Sequence, residues 1–227
     1  MNSKYGMIGL IFIGICMVVA VNRYKSYDRS VSVKGLCEKE VMADKVIWPL
    51  VYKIVGNNME DIYKEITLKN KVIVDFLQKE GIQPSEISVA SPNVVDLMAD
   101  RYSSQEKSYR YNVTCVITVA SNNVQKVMEL SSRQADLISK GVTLVSGEYQ
   151  YNTIYEFTAL NEIKPQMIEE ATANARQVAQ KFAENSKSRL GKIKQASQGQ
   201  FSVTNRDSNT PHIKNVRVVT SVEYYLR

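Results

Sequence analysis

The sequence has few of the residues from which enzyme sites are usually built. Its 227 residues include one histidine, His212, and three cysteines, which removes most ways of building a His/Cys metal site. A Ser/His/Asp or Cys/His site would have to include His212. This residue follows Thr210 and Pro211 in a polar loop, and we interpret it as an ordinary surface side chain. No Gly-rich phosphate loop with a following Lys-Ser/Thr is present. We therefore predict no catalytic residue, no cofactor and no metal ion.

The net positive charge of the chain is small when its first 27 residues are not counted. The chain has 29 Lys and Arg against 23 Asp and Glu, and three of the basic residues (Lys4, Arg23 and Lys25) lie in the first 27 positions, where there is no acid. The remainder carries about +3 with mixed signs, unlike the clustered basic stripe of a nucleic-acid-binding protein. We expect no nucleic-acid partner. Ten Gly and five Pro also exclude a collagen-like or Pro/Gly-rich disordered chain.

The N-terminus contains a long uncharged stretch. No charged side chain occurs from Tyr5 to Asn22, and these 18 residues would rise about 27 Å as a helix. That length is close to the roughly 30 Å hydrocarbon core of a bilayer, and a secretory signal usually has a shorter apolar region. We predict a transmembrane helix and an uncleaved membrane anchor within residues 1–28, with a removed signal peptide as the alternative. Lys4 on one side and Arg23 and Lys25 on the other do not decide its orientation.

Hydrophobic periodicity predicts the elements that follow the anchor. Strands are predicted over residues 29–37, 45–55, 86–97, 109–119, 143–157, 192–204 and 214–226, with Pro49 marking an edge strand or a bulge and Pro92 a bulge. Three helices are predicted, from Asn58 as N-cap to Gly81, from near Asn122 to Gly141, and from Pro165 to about Leu190. In the third helix the predicted buried stripe is Ala171, Ala175, Val178 and Phe182, with Ala179 and Ala183 beside it.

These elements together predict an α+β fold. We expect a mostly antiparallel sheet of about seven strands with three packed helices, preceded by one N-terminal transmembrane helix. No Ser/Gly-rich linker divides the chain after residue 28, so we treat residues 29–227 as one domain.

Two sets of side chains are candidates for special roles. Cys37 and Cys115 fall on the inward sides of their predicted strands, where they are either two buried small hydrophobic residues or a disulfide between neighbouring strands. The alternating residues Tyr149, Tyr151, Tyr155 and Phe157 are predicted to share one face. Such a face could stack nucleic-acid bases, but aromatic strand residues generally bury, so we interpret it as core or as a subunit interface.

Two segments carry a recognisable family pattern. The first runs from Val31 to Asp44. In it a predicted strand leads to Gly35, and a short turn ends at Asp44 before the next strand. The second runs from Ala171 through the Ala-Arg pair at Arg176 and continues to Leu190-Gly-Lys before a strand. In order and spacing these segments resemble the SIMPL domain family of bacterial cell-envelope proteins, over residues 30–227. Many relatives have Pro where Ala43 stands here.

The resemblance implies a domain in the periplasm or an equivalent extracytoplasmic space, held at the cytoplasmic membrane by a single-pass anchor. It also implies self-assembly into homo-oligomers and a role in envelope or oxidative stress tolerance. The family has no defined catalytic residues, so none is assigned to this chain. We therefore expect a non-enzymatic, membrane-tethered assembly protein. The alternatives are an envelope module that binds a small molecule or peptide in a cleft beside the sheet and, third, a hydrolase.

Overall fold

The computed structural model describes residues 12–21, 29–99, 108–145 and 149–227. Over these residues the protein is an α+β fold with two antiparallel sheets and five helices. The fold class is confirmed, but the strands are divided between two sheets instead of forming one. The chain separates into two compact units, each with its own sheet. Unit 1 comprises Met1–Val41, Ala159–Thr204 and Asn215–Arg227, and unit 2 comprises Met42–Thr158 and Asn205–Lys214.

The first helix, α1, occupies residues 12–21. All of its side chains are exposed, including Phe12, Ile13, Met17 and Val18. These ten residues are the described part of the predicted transmembrane segment, and the rest of that segment lies outside the described residues. Within the described ranges, no helix is both long enough and apolar enough to cross a membrane.

Unit 1 is a sheet covered by one long helix. Its strands are β1 (Ser30–Met42), β7 (Leu190–Gln198), β8 (Ser202–Asn205) and β9 (Ile213–Leu226), in the order β1-β9-β7 with β8 also paired to β9. The helix is α5 (Leu160–Asn185). Because its buried stripe is mainly alanine, α5 approaches the sheet closely: a Cβ placed on Gly35 of β1 would lie 1.8 Å from the carbonyl oxygen of Ala171. The buried core consists of Val33, Ala175, Ala179, Val222 and Tyr224.

Unit 2 contains the second sheet and the larger core. Its strands are β2 (Lys45–Gly56), β3 (Ile87–Val89), β4 (Asn93–Asp96), β5 (Tyr111–Ser121) and β6 (Ile154–Glu156), in the order β3-β5-β2-β6 with β4 also paired to β5. Its helices are α2 (Met59–Lys79), α3 (Val124–Ser132) and α4 (Ala135–Ile138). The largest fully buried side chains include Trp48, Tyr52, Leu50, Ile73, Leu77, Ile117, Leu130 and Leu137.

The clearest sequence patterns are confirmed. The side-chain oxygen of Asn58 accepts a hydrogen bond from the backbone N–H of Glu60 (2.9 Å), so Asn58 is the N-cap of α2 as predicted. The helix is followed by Gly81 with φ of 95°, a backbone conformation that favours glycine. In β5 the predicted inward residues from Val113 to Val119 are buried at alternate positions.

Pro49 lies inside β2 without the predicted bulge. It pairs with Thr118 of β5 in a register that is unbroken from Val46 to Gly56. The carbonyl of Val51 accepts from the N–H of Val145 (2.7 Å), on the side away from β5, and by alternation Pro49 faces that side as well. Because β6 pairs only with residues 45–47 of β2, the missing N–H of Pro49 costs no hydrogen bond of the ladder. The strand as a whole lies between β5 and β6, but at Pro49 no described strand pairs with the side away from β5, so the position has the predicted character of an edge.

Several predicted elements are divided in the structure. Residues 86–97 form β3 and β4, which both pair with β5, and residues 192–204 are divided between β7 and β8. The helix predicted from Asn122 to Gly141 is broken into α3 and α4 at Arg133. The Arg133 guanidinium lies at the break and donates to both carboxylate oxygens of Glu80 (2.9 and 3.1 Å) and to Asp136 (3.0 Å), which ties α4 to the end of α2.

The third predicted helix differs in its start and in its buried face. It begins at Leu160, so Pro165 lies inside the helix. The buried stripe is Met167 with the four alanines at 171, 175, 179 and 183. Val178 and Phe182 were predicted to be buried but are 40% and 57% exposed. The close approach at Gly35 admits only small side chains, so the alanine row faces the sheet and the larger apolar residues do not.

Candidate functional site

The two candidate cysteines are both buried with free thiols, Cys37 in unit 1 and Cys115 in unit 2. Burial raises the pKa of the Cys37 thiol, and a hydrogen bond with Glu170 of α5 raises it further. Burial also raises the pKa of Cys115, which lies opposite Tyr52 in the β2–β5 register. A raised pKa lowers the thiolate fraction, so neither position has the features of a reactive cysteine. A disulfide between them stays an untested alternative to two buried, unpaired residues.

The Tyr52 hydroxyl completes a polar cluster in the core of unit 2. It donates to the side-chain oxygen of Asn70 (2.7 Å), and burial together with the Cys115 contact raises the pKa of Tyr52. The Lys69 ammonium lies 5.9 Å from the centre of the Tyr52 ring. The hydroxyl therefore has a partner, and we interpret the cluster as a satisfied part of the core.

The four candidate aromatic residues do not share one strand face. Tyr149 and Tyr151 belong to a single turn of 3-10 helix, and Tyr155 belongs to the three-residue strand β6, which Phe157 follows. The prediction of a strand over residues 143–157 is therefore wrong for most of its length, although residues 146–148 lie outside the described part of the chain. Tyr149 is 93% exposed, whereas Tyr151 lines a small cavity of about 150 Å³ beside Trp48. Whether any of the four lies in a subunit interface stays a prediction.

His212 is partly buried, unlike the surface residue predicted. Its ring lies edge-on to Tyr155 with centroids 5.9 Å apart, and its carbonyl accepts from the N–H of Ala43 (2.8 Å). A proline at position 43 has no N–H and could not donate this hydrogen bond. The alanine that stands here in place of the proline of many relatives therefore allows the bond to form. The neighbouring Asp44 accepts from the N–H of Thr158 (2.7 Å). Both motif residues are thus engaged in the fold of unit 2.

No three His, Cys, Asp or Glu side chains of the described residues come together in a way that could hold a metal ion. One buried cation is found near His212. Burial lowers the pKa of Lys214, and its ammonium donates to the side-chain oxygen of Asn205. This lysine has a partner and no adjoining cavity is described, so it does not define a site.

A large groove lies in unit 1, between the second half of α5 and the start of β7. Its volume is about 870 Å³, within the range of roughly 300–1,000 Å³ that small-molecule sites occupy. Its lining combines apolar residues with polar and charged ones. The apolar part is Ala183, Leu190, Ile193 and Tyr224, and the uncharged polar part is Thr172, Gln180 and Ser188.

Three basic residues line this groove: Arg176 from α5, Arg189 from the turn after it, and Lys192 from β7. Gly191 lies beside them, and a Cβ there would come within 2.8 Å of the Tyr225 carbonyl oxygen, so the strand position requires glycine. The one carboxylate of the lining, Glu184, accepts from the Gln180 amide (3.2 Å). The groove thus carries an excess of positive charge over an apolar floor.

The local charge around the groove differs from the net charge of the chain. Residues 176–192 hold five basic side chains (Arg176, Lys181, Lys187, Arg189 and Lys192) and one acidic one, Glu184. The stretch is thus locally basic in a chain of mixed charge. Which of the five point into one groove depends on how α5 packs on the sheet, and the sequence pattern does not contain that information.

The comparisons with known proteins agree with the motifs. The SIMPL family model, described as a protein of unknown function (DUF541), matches residues 31–223. That span includes both segments on which the resemblance rests and parts of both units. No curated protein matches the chain. The predicted membership is confirmed, and the chain belongs to the SIMPL family.

Proposed function

We propose that this SIMPL domain is a non-enzymatic, membrane-tethered protein of the extracytoplasmic space that self-assembles and contributes to envelope or oxidative stress tolerance. The observation that carries the assembly proposal is the free outer edge of β7. In the order β1-β9-β7, this strand pairs with β9 on one side and with no described strand on the other. An unpaired edge presents backbone N–H and C=O groups to which a second chain can bind.

The direction of the N–H groups of β7 follows from its register with β9. Residues 195–198 pair regularly with residues 223–220, and just beyond them the N–H of Gly199 donates to the carbonyl of Val219 (2.8 Å). By alternation the N–H groups of Gln195 and Ser197 also face β9, and those of Ala196 and Gln198 face outward. All residues from Lys192 to Gln198 are exposed, and the regular part from Gln195 onward carries no charge.

The opposite edge of this sheet is protected against such pairing. The carbonyl of Arg29 accepts from the N–H of Leu226 (2.7 Å) on β9, so by alternation the even-numbered residues of β1 face outward. The outward carbonyl of Leu36 accepts from the Asn174 side chain (2.9 Å), and Lys34 and Glu38 are exposed charges along the strand. Charged side chains and covering groups are the usual protection of an edge strand. This difference favours β7 as the assembling edge.

The membrane tether is supported by α1 and by the uncharged sequence around it. A helix with exposed Phe12, Ile13, Met17 and Val18 is costly in water and favourable in a lipid environment. The family resemblance supports an outward-facing domain. Sidedness is tested by adding protease to intact spheroplasts and to inverted membrane vesicles. We expect digestion of residues 29–227 in spheroplasts and protection in inverted vesicles, and the reverse pattern would refute the proposal.

The assembly proposal is tested by two proline variants of the full-length protein in a neutral detergent. Ala196→Pro removes an outward N–H of β7 and leaves the bonds to β9 intact, so we expect association to weaken at least tenfold. Lys34→Pro removes an outward N–H of the protected β1 edge and is the matched control, expected to associate as the wild type does. Mass photometry gives the assembly state, and circular dichroism checks that both variants fold. Wild-type association in Ala196→Pro, with its fold intact, would overturn the β7 edge as the interface.

A further inference from the structure

We propose that the groove between α5 and β7 binds a small organic anion, through a phosphate or carboxylate group held by Arg176, Arg189 and Lys192. This inference goes beyond the assembly role, because it assigns the domain a ligand of stated chemistry. The site lies wholly within unit 1.

The first argument is that the three cations have no partner among the residues that the structure describes. The side chains of Arg176, Arg189 and Lys192 make no ion pair or hydrogen bond with any residue that the structure describes. Elsewhere in the chain, Arg110 and Arg133 each lie within 3.0 Å of a carboxylate oxygen. Arginines of this protein thus form ion pairs where a carboxylate lies nearby. The two arginines and the lysine that line the groove form none with the described residues.

The second argument concerns the electrostatic balance of the groove. Glu184 is the single carboxylate among the lining residues, and its Oε1 accepts from the Gln180 amide nitrogen (3.2 Å). Three cations of like charge repel one another, so an anion that enters among them relieves that repulsion as well as forming its own contacts. Concave surfaces lined by one sign of charge also raise the local concentration of oppositely charged molecules.

The geometry of the donors identifies the group that is bound. Each guanidinium presents a planar fork of N–H donors that matches the paired oxygens of a carboxylate or a phosphate, and the lysine adds a point charge. The hydroxyl group of Thr172 can donate to the same oxygens. An oxyanion therefore fits the polar part of the groove.

The apolar lining indicates that the anion carries an organic body. Leu190, Ile193 and Tyr224 border the same cavity, and Ile193 is 52% exposed. Covering such surface gains free energy in proportion to the apolar area removed from water. The volume of about 870 Å³ is also far larger than a single inorganic ion needs. A compound with an aromatic or aliphatic body and one terminal oxyanion uses both parts of the lining.

The groove lies where two segments of the chain meet within unit 1. The groove is lined by Thr172 and Arg176 from the alanine-rich motif and by Leu190, Gly191 and Lys192 from the motif before β7. Gly191 is needed for close backbone approach, whereas the Arg176 side chain is exposed and pairs with no group of the described residues. A ligand gives that side chain a role that packing does not.

The proposal is tested by calorimetric titration of the full-length protein in a neutral detergent. Three probes separate the contributions: phenyl phosphate has both the body and the oxyanion, inorganic phosphate has only the oxyanion, and phenol has only the body. We expect saturable binding of phenyl phosphate, at least fivefold weaker binding of inorganic phosphate, and no measurable binding of phenol. A fourth arm offers vesicles containing phosphatidylglycerol, so that a lipid headgroup is distinguished from a soluble anion.

Variants locate the site. Arg176→Gln and Arg189→Gln are each expected to weaken phenyl phosphate binding at least tenfold, the usual effect of losing a charge-assisted pair. Arg176→Lys keeps the charge without the fork and should recover part of the loss. Lys181→Gln is the matched control, since it removes the same charge from an exposed position of α5 that does not line the groove. It should change the affinity by less than twofold.

Three results would overturn the proposal. The first is no saturable binding of phenyl phosphate at millimolar concentration. The second is an equal loss in Lys181→Gln and Arg176→Gln, because that would indicate attraction to the overall charge. The third is binding to the vesicles without binding to phenyl phosphate. Because all variants alter exposed side chains, circular dichroism should show the wild-type fold in each.

Discussion

Replacing Gly35 with alanine tests how unit 1 is held together. A Cβ at this position would lie 1.8 Å from the Ala171 carbonyl oxygen and 2.6 Å from the Ala175 N–H nitrogen. It would therefore meet a hydrogen-bonded peptide pair of α5, which cannot rotate away as a flexible side chain can. Ordinary van der Waals contact begins near 3.4 Å, so α5 would have to move by about 1.6 Å. The variant Gly35→Ala thus opens the interface between the alanine row and the sheet.

The cost of that movement can be bounded. Overpacking a well-packed core costs about 1–3 kcal/mol and sometimes more, and a gap of this width removes much of the dispersion energy across the interface. We expect the free energy of unfolding to fall by about 3 kcal/mol, which for a chain of this size lowers the melting temperature by roughly 10 °C. Thermal and urea unfolding followed by circular dichroism measure both quantities.

Gly56→Ala is the matched control, because it is also a strand glycine. A Cβ there would meet only the Ile62 side chain, at 3.2 and 3.3 Å, and the end of that side chain can shift. We expect a change of less than about 1 kcal/mol, since alanine also loses less backbone entropy than glycine on folding. Equal stability of Gly35→Ala and the wild type would refute the close packing of α5 on β1.

Three further predictions concern a cap, an ion pair and the thiols. Asn58→Ala should lower the free energy of unfolding by about 1 kcal/mol, measured by urea unfolding, because α2 loses its N-cap; no change would mean that the cap is not formed in solution. The Arg133 guanidinium lowers the pKa of Glu80, so this pair stabilises the fold above the ordinary pKa of Glu and the stabilisation is lost as the pH falls through the lowered pKa. Arg133→Met should therefore be less stable than the wild type at pH 7, with a difference that shrinks below about pH 4, and a difference independent of pH would contradict the ion pair. In the unfolded, unreduced protein we expect Cys37 and Cys115 both to react with a thiol reagent, whereas labelling of neither would establish a disulfide.

Elements defined by local patterns could be predicted from the sequence. The alternation from Val113 to Val119 and the capping signals around Asn58 and Gly81 depend on neighbouring residues, and the structure confirms them. The tyrosines from residue 149 onward also alternate, but only residues 154–156 pair with β2, at Lys45 to Ile47, so β6 is short. A period-2 pattern indicates a strand only where a partner strand exists.

Features that depend on distant contacts could not be predicted. The division into two sheets follows from which strands pair, and β2 finds its main partner in β5, more than fifty residues later in the chain. Val178 and Phe182 are apolar and fit the helical period, yet both are exposed. The close approach of α5 to Gly35 leaves room only for small side chains, so the alanines are buried instead. The same holds for the groove, because the sequence does not show that Arg176 lines it and pairs with none of the described residues.

Hydrogen exchange along β7 tests the central claim, that this strand is the assembling edge, most directly. The N–H of Ser197 faces β9, and those of Ala196 and Gln198 face outward. At concentrations where the full-length protein is associated, we expect the outward amides to exchange as slowly as Ser197, and on dilution to exchange much faster while Ser197 stays protected. Fast exchange of Ala196 and Gln198 in the associated protein would contradict the claim.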